Sequence, residues 1–113
     1  MENRFSFPNT SEKHEYLNVI KDTILNAEER IKEEQERVGN PWYRCMNTVL
    51  HIVHGNLELA SFEDCIISTD AYEKISTTVW DIDKEVKKEG VEIEKDKQNE
   101  LLGKLRQILN YLP

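Results

Sequence analysis

The chain predicts an all-α protein, an antiparallel four-helix bundle with an extended N-terminal arm, and three observations carry the prediction. Apolar residues recur at three- and four-residue spacing in four separate runs, the period of one buried helix face. Only four glycines and three prolines interrupt 113 residues, so turns are few and helices long. Charged residues make up 33% of the chain against 38% apolar, and the two signs are interleaved. Glu12 to Arg37 holds eight acids and five bases, and Asp81 to Glu100 the same tally, as solvated outer helix faces do. The length suits one domain, 1–113, whose core needs no disulfide or structural metal.

Residues 1–10 read as an extended arm: Phe5 and Phe7 alternate with polar residues and Pro8 blocks an early helix. The two rings either cover the chain's own core or reach a second subunit. The first helix starts at a Thr10 or Ser11 cap with Glu12 and Glu15 in its first turn, where negative charge suits the helix dipole. Its stripe is Tyr16, Leu17, Ile20, Ile24, Ala27, Ile31 and Val38, and Gly39 ends it. The second half is poorer in apolar residues and so less buried. Glu28, Glu29, Glu33 and Glu34 have the look of the metal-binding acids of an all-α nucleotide pyrophosphatase, but no later helix supplies the facing Glu-x-x-Asp.

The second helix opens at Asn40-Pro41, a cap followed by a proline at the first helical position. Trp42, Met46, Val49, Val53, Leu57 and Ala60 form its stripe, flanked by Cys45, Leu50 and Ile52. Gly55 leaves three outcomes open: the helix continues, it stops at His54 and restarts, or 57–67 forms short strands. On the opposite face stand Tyr43, Asn47, His51, His54 and Glu58, the most chemical-looking group in the chain. His51 and His54 have the i, i+3 spacing of a metal pair, and Glu58 is placed to orient His54. One straight helix does not bring all three to one ion, and His14 lies on another helix, so no metal or cofactor is expected.

The third helix, capped by Ser68, Thr69 or Asp70 and stopped by Gly90, carries the stripe Ala71, Ile75, Val79, Ile82 and Val86. Trp80 projects roughly 140° away from that stripe, among Glu73, Ser76, Thr77, Lys84 and Lys87, where it either anchors a contact with a partner or second subunit or packs inside the monomer under the Phe5–Phe7 arm. In the connector, Val91 and Ile93 alternate with acids and are expected to clip onto the core. The fourth helix, about Asp96 to Leu112, has the strongest stripe, Leu101, Leu102, Leu105, Ile108, Leu109 and Leu112, and is expected to be central; Gly103 lies off it.

Function follows mostly by exclusion. The net charge is −7 and the longest basic run is Lys87-Lys88, so a nucleic-acid partner is not expected and a basic protein partner is favoured over an acidic one. No apolar run approaches the roughly 20 residues of a membrane span. The first ten residues lack a secretory pattern, so the expected location is the cytoplasm, with Cys45 and Cys65 as free thiols. No phosphate loop, Ser-His-Asp order or Cys-His pair is present; Cys45 and His51 lie too far round the helix. In size and composition the chain resembles small acidic helical proteins of bacteria and phages, such as immunity proteins and inhibitors of host enzymes, although it shares no motif with them. The negative charge, the absence of a catalytic constellation and the off-stripe Trp80 lead to the same reading, a non-catalytic protein that inhibits or regulates a partner protein, with Trp80, Glu73, Lys84 and Thr77 as its contact residues. The alternative is a homo-oligomer that binds or sequesters a small ligand through Tyr43, Asn47, His51, His54 and Glu58. A third reading is a metal-dependent enzyme built on His51, His54, Glu58 and His14.

Overall fold

A computed structural model describes residues 15–62 and 66–113 of the chain. The expectations for the arm, for the Thr10 or Ser11 cap, for His14 and for Cys65 lie outside these residues. The described residues form five α-helices and no strand: α1 (Glu15–Leu25), α2 (Ala27–Val38), α3 (Trp42–Phe62), α4 (Thr69–Glu89) and α5 (Lys95–Gln107). Short 3-10 turns follow α4 at Gly90–Glu92 and α5 at Ile108–Tyr111.

The expected first helix is two. Asn26 breaks it: the residue sits at φ −106°, ψ 14°, and both its backbone N–H and its side-chain amide donate to the Asp22 carbonyl, at 3.0 and 2.9 Å. Leu17, Ile20, Thr23 and Ile24 are buried before the break and Ala27 and Ile31 after it. Val38, expected on the stripe, is 55% exposed. Beyond Ile31 no α2 residue is buried. Gly39 then turns into the left-handed region at φ 81° and donates its N–H to the Gln35 carbonyl at 3.0 Å, the helix end that glycine favours.

Of the three outcomes at Gly55, the structure takes the first. α3 runs unbroken for 21 residues to Phe62, because its packing outweighs the roughly 1 kcal/mol cost of one helical glycine. Its buried set is wider than one stripe: Cys45 and Leu50 are buried with Trp42, Met46, Val49, Val53, Leu57 and Ala60. That breadth makes α3 the central element, on which α1, α2 and α4 all pack. The leucine-rich last helix is not central. α5 is only 13 residues long, and it lies on α4 and touches α1. Its Leu101, Leu102, Leu105 and Ile108 are nonetheless buried in the same core, with Leu109 and Leu112 packed against it.

α4 is capped by Ser68, whose hydroxyl accepts from the Ala71 N–H at 3.1 Å. Ile75, Val79, Ile82 and Val86 are buried and Ala71 is half-buried. Gly90 ends the helix at φ 66°. In the connector only Ile93 reaches the core; Val91 is 68% exposed. The backbone there is a 3-10 turn rather than a strand, so residues two apart no longer share a side.

Candidate functional site

Two ridges of residues spaced four apart meet along the contact of α3 with α4. On α3 the ridge is His54, Glu58 and Phe62; on α4 it is Tyr72, Ser76 and Trp80. Residues four apart on a helix stack one above the other, so each ridge lines one exposed edge of the contact between the two helices. The His54 and Trp80 rings lie with centroids 5.5 Å apart, tilted at 56°, and Phe62 and Tyr72 lie 5.6 Å apart at 47°. Both arrangements fall within the range of favourable aromatic pairs. Glu58 joins them: its Oε2 accepts from the Tyr72 hydroxyl at 3.5 Å and stands 3.9 Å from His54 Nε2. The Ser76 hydroxyl is buried between them without a hydrogen-bond partner among the described residues.

The contact of His54 with Trp80 joins the two surfaces that the sequence offered as rivals. Glu58 and His54 belong to the ligand-binding alternative and Trp80 to the partner-binding reading, yet they form one seam. Tyr43 and Asn47, about three and two turns nearer the start of α3 than His54, lie apart from it. They line an open cleft of about 440 Å³ with Asn40, Arg44, Thr48, Val86 and Lys87. His51 is exposed. The five residues of the alternative therefore divide between the cleft, the seam and solvent. Among the described residues no three His, Cys, Asp or Glu side chains converge as metal ligands would.

Trp80 is 58% exposed. With one side of its ring against His54, the rest faces outward between Thr77 and Lys84, both exposed, with exposed Glu73 two turns away. Neither Glu73 nor Lys84 has an ion-pair partner among the described residues, whereas their neighbours do: Lys74 holds Asp70 at 3.1 Å and Lys87 holds Asp83 at 3.0 Å. The sequence reading missed Phe62 and Tyr72. Tyr72 stands two turns before Trp80 and Phe62 two turns after His54, so the spacing that places them was present in the chain.

Elsewhere, Cys45 is a buried thiol whose Sγ lies 3.9 Å from the Asn40 carbonyl. Burial, reinforced by the nearby Glu34 carboxylate, raises its pKa, which holds it in the protonated form that is a poor nucleophile. The Glu-rich run of α2 is drawn into structural contacts: Glu34 accepts from the Asn40 amide at 3.1 Å and Glu28 pairs with Arg106 at 3.1 Å. Among the described residues no helix is long and apolar enough to cross a membrane. Comparison with protein families, with curated proteins and with solved structures finds no match.

Proposed function

We propose that this chain is a non-catalytic, acidic helical binding protein that inhibits or regulates a partner protein, with the outer face of α4 as its contact surface. The observation that carries this reading is Trp80, more than half exposed on a helix that buries Ile75, Val79, Ile82 and Val86 on its opposite face. An exposed tryptophan forgoes burial energy that a contact would recover, and tryptophan dominates interface energetics more often than most residues. His54 holds one side of the ring, so less side-chain freedom is lost when the other side is covered. Thr77, Glu73 and Lys84 form a polar rim that gives orientation more than affinity. The reading includes an antiparallel arrangement in which bent α1–α2 acts as one arm of a four-membered bundle; the short connections at 39–41 and 90–94 support it. It also includes a cytoplasmic location and, from the net charge of −7, a partner of net positive charge, drawn to the chain as a whole rather than to the mixed charges of the α4 face.

Trp80→Ala tests the reading. It should change the stability of the isolated chain by less than about 1 kcal/mol, as surface changes do. It should weaken association by about 2 kcal/mol or more, as loss of an interface anchor does. Unfolding of the chain by this substitution would show that Trp80 serves the core instead. The ligand-binding alternative retains one supporting observation, the cleft at Tyr43 and Asn47, whose volume is in the range of small-molecule sites. Native mass spectrometry of the purified protein tests it by looking for a retained small molecule.

A further inference from the structure

The exposed face of α4 is ordered by charge. Asp70, Glu73, Thr77, Trp80, Lys84 and Lys87 recur at three- and four-residue spacing, and all six are exposed. Along the helix they read acidic, acidic, neutral, aromatic, basic, basic. A uniformly basic partner would meet repulsion from half of this face, and a uniformly acidic one from the other half. A surface that matches it must be basic where α4 is acidic and acidic where α4 is basic, with a small group opposite the tryptophan. The same face turned end for end has that pattern.

We propose that the occupant of this face is a second copy of the chain, docked with the two α4 helices antiparallel about a twofold axis between Thr77 and Trp80. The proposal rests on the reading of the α4 face as a contact surface and adds a second occupant that competes there with the regulated protein. In a twofold interface every contact occurs twice, and this register sets Glu73 against Lys84 of the partner subunit, Asp70 against Lys87 of the partner subunit, and Trp80 against Thr77 of the partner subunit. The two charges out of sequence, Lys74 and Asp81, share one flank and come opposite each other across the same axis. A parallel pairing would instead set acid on acid and base on base. α4 is a single helix of 21 residues, about 31 Å long, long enough to present all six positions together. Glu73 and Lys84, without ion-pair partners among the described residues, are the pair that docking would satisfy. Self-pairing would then set the concentration at which Trp80 is free to meet any other protein.

Charge reversal tests the register. Sedimentation equilibrium of the full chain at about 0.15 M salt, where repulsion between exposed charges is screened beyond roughly 8 Å, measures the dimer dissociation constant. Lys84→Glu places two like-charge contacts in each dimer and should raise that constant about tenfold. Adding Glu73→Lys to the same chain rebuilds both pairs with the signs exchanged and should bring the constant back to within about threefold of the original. A chain that stays monomeric up to about 1 mM overturns the proposal. So does a dimer in which the double reversal is no better than Lys84→Glu alone. A heterologous partner lacks the exchanged sign and would gain nothing from the double reversal, so the charge swap reports on the occupant. Trp80→Ala against a candidate partner protein reports separately on the surface.

Discussion

Trp42 and Trp80 each sit on a 21-residue helix, α3 and α4, yet one is 7% exposed and the other 58%. Trp42 begins the apolar series that continues through Met46, Val49 and Val53, so the helical period carries it into the core. Trp80 falls on the far side of the series Ile75, Val79, Ile82 and Val86, so the same period carries it outward. Residue type does not decide the fate of a large ring here; its phase on the helix does. The consequence is a division of labour, in which burial of Trp42 stabilises the fold and exposure of Trp80 leaves a ring for contact.

The largest expected effects are in the core. Trp42→Ala should cost about 3–5 kcal/mol of folding stability and Leu105→Ala about 2–5 kcal/mol, as large-to-small core changes do. Both are read from denaturant unfolding, and a cost near that of Trp80→Ala would erase the contrast. Gly55→Ala and Gly103→Ala should each stabilise the chain by about 0.5–1 kcal/mol, because both are helical and an added Cβ meets no atom within 4 Å. A loss at either site would place a further chain segment or subunit against that helix. The smallest effect concerns the link between α4 and α5, where Lys97 holds Glu85 at 2.9 Å. That hydrogen bond lowers the Glu85 pKa and raises that of Lys97. A carboxylate with a depressed folded-state pKa contributes stability above its unfolded pKa and loses it as pH falls through the folded value. The melting temperatures of the parent chain and Lys97→Ala should therefore converge on acidification.

The helical stripes made the core legible. Ile75, Val79, Ile82 and Val86 on α4, and Leu101, Leu102, Leu105 and Ile108 at the end of the chain, are buried where their spacing puts them. Local competition was harder to read. Asn26 interrupts a helix whose apolar period continues past it, and periodicity does not register one residue's departure from helical φ and ψ. Val91 failed because alternation implies a strand only if the backbone is extended, and here it is a 3-10 turn. Of the candidate site, Trp80, Thr77, Glu73 and Lys84 were identifiable as one face because all four lie on one helix. That His54 packs against Trp80 was not, since it depends on how α3 and α4 pair in space.

The exposure of Trp80 in the isolated chain is the point on which the account turns, and one measurement reaches it directly. Trp42→Phe leaves Trp80 as the single tryptophan while keeping an aromatic ring in the core, and circular dichroism checks that the helices persist. Quenching of its fluorescence by acrylamide then reports the accessibility of that one ring. At high dilution Trp80 should be quenched readily, short of free tryptophan because His54 covers one side of the ring, and it should become shielded as the protein is concentrated. Shielding that is complete at every dilution would place Trp80 inside the monomer and contradict the account.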